Sequence, residues 1–299
     1  MIKYLMRSML FIPAHNEKFL SKAESSEADA LIFDLEDSVP ELLKDTAREN
    51  LVRLLEDEKW KEKQIYVRVN SLSSGHNMKD LEIFRNKYID GVVVSKINTV
   101  KDILVYDERL SCIEEQIGDQ DGRIKLLPLI ETAEGVINVA DIARSSKRII
   151  ALIFGGEDYL DSIWGEHMYP PKAFDVPRAM IAMAARMNHL LPIDTPYLDF
   201  SDYEGFMQEE KQAYSMGYAG MLLVNPKQIP WAHECFTPGE KEVEYAKRIL
   251  EAVEESRRNG NSITKLGDKM IGPPMRKKAE KVLEIYEAVK KKESALEGK

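Results

Sequence analysis

Ala30-Leu-Ile-Phe-Asp34-Leu-Glu36-Asp37 runs four apolar residues straight into a cluster of three carboxylates. The apolar part lacks the polar alternation of a half-exposed strand, so it predicts a strand buried on both faces whose carboxyl end delivers acids to one place. Seven further runs have the same form. Residues 9–13 lead to His15 and Asn16, 65–69 contain Arg68 and lead to Asn70, and 91–94 lead to Ser95 and Lys96. Residues 124–130 lead to Glu131, 149–154 to Glu157 and Asp158, 193–198 to Asp199, and 219–224 to Asn225. Helices are expected between them at 17–25, 43–57, 78–86, 99–115, 137–145, 178–188 and 202–216. Eight strand–helix units close into a TIM (β/α)8 barrel, in which chemistry sits at the carboxyl ends of the strands.

The bulk composition agrees with one α/β barrel plus an extension. The chain has 299 residues, of which 44% are hydrophobic, enough for a sizeable core. Its 42 Lys and Arg against 51 Asp and Glu give a net charge of -9, and no basic run interleaves with aromatics, which excludes nucleic acid as the expected partner. Cys112 and Cys235 stand without a second Cys or a His at ligand spacing, the pattern of a reduced, cytoplasmic interior. No apolar run approaches the roughly 20 residues of a membrane span. We therefore expect a barrel domain over 1–236 and a C-terminal helical extension over 237–299. In the extension, residues 241–259 carry a stripe of Val243, Ala246, Ile249, Leu250 and Val253, and a break rich in Gly, Asn and Pro follows to Pro274. That stripe needs cover, either from the chain's own barrel or from a neighbouring subunit in a homo-oligomer. Residues 163–175, with Gly165, Pro170 and Pro171, are expected as a long loop above the sixth strand.

The strand ends name the candidate chemistry. Adjacent barrel strands lie about 4.8 Å apart, so Glu131 and Asp158 can share one cation, and Mg²⁺ takes one or two carboxylates and fills its other positions with water and substrate. The alternative is that these acids cap the helices that follow them. Gly155 and Gly156 allow backbone amides to approach a bound anion. Asp34, Glu36 and Asp37 need a counter-charge, for which Arg68 and Lys96 are nearest, and the planar fork of Arg68 suits a substrate carboxylate. Arg48 falls inside the second helix and is expected to tie it to the barrel. His15 is expected as a loop hydrogen-bonding residue, and His76, His167, His189 and His233 lack partners at metal spacing.

Six segments, taken in order, resemble the citrate lyase beta subunit family, part of the wider group of HpcH/HpaI-type aldolases and malyl-CoA lyases. They are Arg7-Ser-Met-Leu-Phe-Ile-Pro13, Ile32-Phe-Asp-Leu-Glu-Asp-Ser-Val39, Lys44-Asp-Thr-Ala-Arg48, Tyr66-Val-Arg-Val-Asn70, Leu129-Ile-Glu-Thr-Ala-Glu-Gly135 and Phe154-Gly-Gly-Glu-Asp158. The resemblance implies Mg²⁺ or Mn²⁺ at Glu131 and Asp158, and a small 2-oxo acid (oxaloacetate, pyruvate or glyoxylate) contacted by Arg68 and Glu36. It implies a catalytic set of Arg68, Glu36 and Asp37, with Gly155, Gly156 and Glu157 along the substrate. It also implies a carbon–carbon bond made or broken beside a carboxylate or a CoA thioester, with Arg7 and Lys18 near the CoA or phosphate, and a homo-oligomer, trimer or hexamer.

Three departures bear on the acyl partner. Relatives usually read Ile-His-Pro after the eighth strand, where this chain reads Val224-Asn-Pro226. Many read Pro-Lys after the fourth, where this chain has Ser95-Lys96. Relatives carry an Asp in a Met-Ile-Asp-x-Pro segment of the tail; here Met270-Ile-Gly272-Pro-Pro offers no proton-transferring group. A CoA-independent hydroxy-acid aldolase and a non-catalytic 2-oxo-acid-binding relative therefore stand beside the lyase as expectations.

Overall fold

The computed structural model describes residues 3–258, apart from 167, 169 and 170, together with 263–297. Eight parallel strands form a closed barrel in chain order: β1 (Ser8–Pro13), β2 (Ala30–Asp34), β3 (Gln64–Val69), β4 (Gly91–Val94), β5 (Lys125–Ile130), β6 (Ala151–Phe154), β7 (Leu191–Asp194) and β8 (Gly220–Leu223), with β8 pairing back to β1. Every residue of β2, β4, β6 and β8 is buried, as strands packed between a barrel interior and an outer helical layer must be. Closure depends on Gly220. A Cβ there would fall 1.8 Å from the Met6 carbonyl oxygen, so no larger residue lets β8 meet the start of β1.

The helices are α1 (Glu17–Ala23), α2 (Lys44–Leu54), α3 (Asn77–Leu81), α4 (Val100–Ile117), α5 (Ala133–Ala143), α6 (Gly156–Ser162), α7 (Asp175–Met187), α8 (Tyr203–Met216), α9 (Ile229–Phe236), α10 (Glu240–Arg258) and α11 (Pro273–Glu297). Local chemistry sets their ends. Asp102 accepts from the Thr99 N–H at 2.8 Å to open α4, which closes on Gly118 with φ 69. Thr132 accepts from the Gly135 N–H at 3.0 Å and opens α5, so Glu131 is not that helix's cap.

Three expectations need correction. The seventh strand ends at Asp194, because Pro196 interrupts the run that was read as continuing to Leu198; Asp199 lies in the following loop. A short helix absent from the expected set, α6, fills 156–162, and the expected loop starts after it at residue 163; Pro170 and His167 lie outside the described residues. The tail break contains an antiparallel hairpin, β9 (Thr264–Leu266) and β10 (Lys269–Ile271), turning at Gly267 with φ 61.

The chain divides into two compact units, Met6–Cys235 and Met1–Leu5 with Phe236–Lys299. In the second unit, Val243, Ala246 and Ile249 of α10 pack with Ile271 of β10 and with Ala279 and Val282 of α11. The α10 stripe expected to lie on the barrel or on a neighbour is thus covered inside its own unit. No described helix is long and apolar enough to cross a membrane.

Candidate active site at the barrel mouth

Sheet register brings Asp34 and Arg68 together, since they are direct partners between β2 and β3. Arg68 donates from Nε to Asp34 Oδ1 at 2.6 Å and from Nη2 to Oδ2 at 2.7 Å. Burial works against a charged Asp34, but the Arg68 guanidinium and hydrogen bonds from Arg68, Ser38 and the Glu36 backbone hold its carboxyl below the usual carboxylate range. The guanidinium also lies 4.6 Å from the centre of the Phe11 ring. The fork expected to grip a substrate carboxylate is therefore filled by Asp34. Nη1 donates to Asp37 Oδ2 at 3.2 Å and lies 3.4 Å from Glu36 Oε2.

The loop that carries Glu36 is tied down by Lys44, a residue without a role in the reading of the strand ends. The buried Lys44 ammonium donates to the carbonyls of Leu35 and Glu36 at 2.8 Å each and to Asn70 Oδ1 at 2.7 Å. All three of its donors are used, which is what makes a buried lysine tolerable. Arg48 reaches Asp80 at 2.6 Å, and Asp80 accepts from the Asn70 N–H at 2.9 Å, so Arg48 does tie α2 to the barrel. Lys44 lies within one of the quoted segments, but its three acceptors come from two different strand ends and only the folded barrel assembles them.

Across the mouth, Glu131 is 1% exposed at the end of β5. Its Oε1 accepts from the Lys96 N–H at 2.6 Å, and Lys96 adopts φ 54 to point that N–H inward. A left-handed lysine is a strained choice, of the kind that clusters at functional sites. Gly155 leaves room for the same carboxylate: a Cβ there would lie 2.5 Å from Glu131 Cβ and 2.9 Å from its Oε2. Gly156 donates its N–H to Thr195 Oγ1 at 2.8 Å, which fixes the first turn of α6, where Glu157 and Asp158 are exposed.

Burial, together with the charges of Glu36 and Asp158, pushes the Glu131 carboxyl up to about 8. Burial, reinforced by Asp37 and only partly offset by Arg68, pushes Glu36 up to about 7. Burial and Asp37 also raise Asp158, against Lys96 and Arg68. Five carboxyl groups (Asp34, Glu36, Asp37, Glu131 and Asp158) thus face two cations, Arg68 and Lys96. A site short of positive charge, with two oxygen donors from adjacent strand ends and a glycine cradle beside one of them, fits a hard divalent cation. Among the described residues no three His, Cys, Asp or Glu side chains converge on one point, so the donor set suits an ion that keeps water or substrate ligands rather than a closed zinc site.

The other candidates lie elsewhere. Arg7, expected near a CoA or phosphate, enters β1 at the barrel's opposite end and pairs with buried Asp29, Nε to Oδ2 at 2.8 Å and Nη2 to Oδ1 at 2.9 Å. Lys18 is exposed in the first turn of α1. His233 hydrogen-bonds Ser8 at 2.8 Å where β1 begins, and His76 bonds Glu41 at 2.7 Å between the loops that follow β3 and β2. Asn225 caps the turn after β8.

The model of the family described as HpcH/HpaI aldolase/citrate lyase matches residues 7–226. The citrate lyase subunit beta of Haemophilus influenzae is 36% identical over 94% of this chain and 96% of that protein. A crystal structure of the protein CitE from Mycobacterium tuberculosis with magnesium, acetoacetate and coenzyme A superposes with a TM-score of 0.77 at 25% identity, covering 93% of this chain and 97% of that one. A citrate lyase beta subunit from the same organism, complexed with oxaloacetate and magnesium, gives 0.66 at 25% identity over 78% of this chain and 97% of that one.

Proposed function

The chain belongs to the HpcH/HpaI aldolase/citrate lyase family, and from that premise we propose that it is a Mg²⁺-dependent carbon–carbon lyase, with Mn²⁺ able to substitute, that releases or accepts a small 2-oxo acid. The observation that carries this is the charge imbalance at the mouth, where Glu131 and Asp158 sit raised beside Glu36 and Arg68 and Lys96 offset them only in part. Glu131 and Asp158 hold the cation. When bound, it supplies the positive charge that stabilises an enolate developing next to the oxo-acid carboxylate, so no lysine Schiff base is needed. Arg68 Nη1 exchanges its bond to Asp37 for one oxygen of that carboxylate, Asp34 fixes the guanidinium against Phe11, and the Gly155–Gly156 turn allows close backbone approach. Glu36, raised to about 7, is the group placed to hold or release a proton near neutral pH. The magnesium complexes of the two similar mycobacterial proteins support the assignment.

For the acyl partner, Gly272 favours a free hydroxy acid over a CoA thioester, because it cannot move a proton. With Mg²⁺ saturating, turnover of free hydroxy acids with little cleavage of malyl-CoA or citramalyl-CoA is expected. Gly272 does not have a positive φ, and a Cβ there would meet only Pro274 Cδ at 3.9 Å, so Gly272→Asp is tolerated. Any trace thioester activity should then rise towards the roughly 10²- to 10⁴-fold that a general acid–base supplies. Robust wild-type thioester cleavage contradicts this choice of partner, and no metal-dependent turnover of any hydroxy acid or thioester contradicts the lyase.

A homo-oligomer, trimer or hexamer, is part of the same reading. Large apolar side chains stand exposed on loops after β6, β7 and β8, among them Trp164 (95% exposed), Phe200 and Val224, and a second copy would cover them. Light scattering of the full chain should give more than one subunit; a monomer at micromolar concentration rejects it.

A further inference from the structure

The main-chain duty of Lys96 does not call for a lysine. Its N–H reaches Glu131 Oε1 at 2.6 Å with φ 54, and glycine would make the same bond at the same angle without a Cβ to strain. What lysine adds is an ammonium. The residue is exposed, and among the described residues no group hydrogen-bonds that ammonium and no carboxylate lies within 4 Å of it. Arg68, the other cation of the mouth, is by contrast occupied by Asp34 and Asp37. Lys96 thus holds a strained backbone angle while its side chain makes no bond to the protein, an outlier that points to a ligand.

The place of β4 and the charge of the mouth say which ligand. β4 lies between β3, which carries Arg68, and β5, which ends before Glu131. A ligand that spans Arg68 and a cation held by Glu131 and Asp158 crosses the end of β4, where Lys96 stands, and the charge of Lys96 already acts on Asp158 across the mouth. A free hydroxy acid cleaved beside a carboxylate brings a second carboxylate where a CoA ester brings an uncharged thioester. Among five carboxyl groups that extra charge needs a cation of its own. An ammonium on a flexible stem, with three donors, can follow it.

We propose that Lys96 binds the second carboxylate of a free hydroxy diacid and so selects a diacid over a monocarboxylic acid. This rests on the mouth binding hydroxy acids through its cation, and the test separates the two. Malate and lactate, which share the 2-hydroxy carboxylate and differ in the second one, are titrated by calorimetry into wild type, Lys96→Met and Lys96→Arg in saturating Mg²⁺. Methionine keeps the Cβ and most of the stem and removes the charge. In Lys96→Met the malate Kd should rise about tenfold while the Kd values of lactate and Mg²⁺ stay within about twofold, and Lys96→Arg should keep the preference for malate. Malate and lactate weakened alike in Lys96→Met overturn the proposal, as does an unchanged malate Kd or a Lys96→Arg protein that behaves as Lys96→Met. Wild-type protein that binds lactate as tightly as malate also overturns it and leaves the hydroxy-acid reading standing. Wild-type protein that binds neither acid removes that reading, and the proposal with it.

Discussion

The two ends of this barrel treat charge in opposite ways. At the foot, where strands begin, acids meet bases closely: Arg7 grips Asp29 with two donors, and Arg148 reaches Glu114 at 2.8 Å and Asp107 at 2.6 Å. At the mouth, where strands end, Asp34 alone is fully answered by Arg68, and burial pushes Glu36, Glu131 and Asp158 up, with too little positive charge beside them to offset it. A finished ion pair can only hold the fold, and breaking it strands a buried charge. An unfinished cluster costs stability on its own and recovers it when a cation arrives, which is the mark of a site built for a ligand.

The largest effect should come from the foot and be purely structural. Arg7→Met leaves Asp29 buried without its partner and should cost about 3–5 kcal/mol by denaturant unfolding, while Mg²⁺ affinity stays at the wild-type value. A CoA-specific binding defect in an otherwise stable Arg7→Met would return this residue to a ligand site and blur the contrast between the ends. At the mouth the balance should reverse. Gly155→Ala pushes a methyl into Glu131, at 2.5 Å from its Cβ, and should weaken Mg²⁺ by about 10- to 100-fold for a smaller stability loss of about 1–3 kcal/mol.

The third prediction is a pH dependence with a definite sign. A carboxyl whose folded pKa is raised binds its proton more tightly folded than unfolded, so its contribution to stability is complete below its ordinary value near 4.5 and is lost as pH climbs through the folded value. For Glu36 and Glu131 that window runs from about 4.5 to about 7 and about 8. Metal-free protein should therefore melt at lower temperature at pH 8 than at pH 5, and Mg²⁺ should restore most of the difference. A metal-free Tm that rises across this window would mean that the mouth is already balanced. The smallest effect concerns Lys96: replacing it with Gly relieves its φ of 54 and should stabilise the metal-free protein by about 1 kcal/mol in thermal melts, and a destabilised Lys96→Gly would show that its ammonium matters more than its strain.

How much of this was legible in the chain follows from range. The barrel was, because strands buried on both faces write themselves as apolar runs, and so was the placing of Glu131 and Asp158 after neighbouring strands, since strand direction alone puts both at one end. Strand direction also places Arg7, which precedes its run, at the foot, where it pairs with Asp29. Apolar Tyr197 and Leu198 prolong the run and so hide that β7 ends at Asp194. That aspartate is buried only because Arg178 of α7 pairs with it at 2.9 Å and Glu209 of α8 joins them, contacts that no local window contains. The occupied fork of Arg68 was invisible for the same reason, as it depends on the β2–β3 register. The hairpin of β9 and β10 left no pattern because it is mostly exposed and only three residues deep on each side.

The central claim is that the mouth is short of one cation and that Glu131 must lose a proton to receive it. Calorimetric Mg²⁺ titrations at about pH 6, 7 and 8, each in two buffers of different ionisation enthalpy, count the protons released. Affinity should rise by up to about tenfold per pH unit, with close to one proton released per ion at the acidic end, and Glu131→Gln should bind no Mg²⁺ at any of the three. Binding that is independent of pH, releases no proton and survives Glu131→Gln would contradict the account.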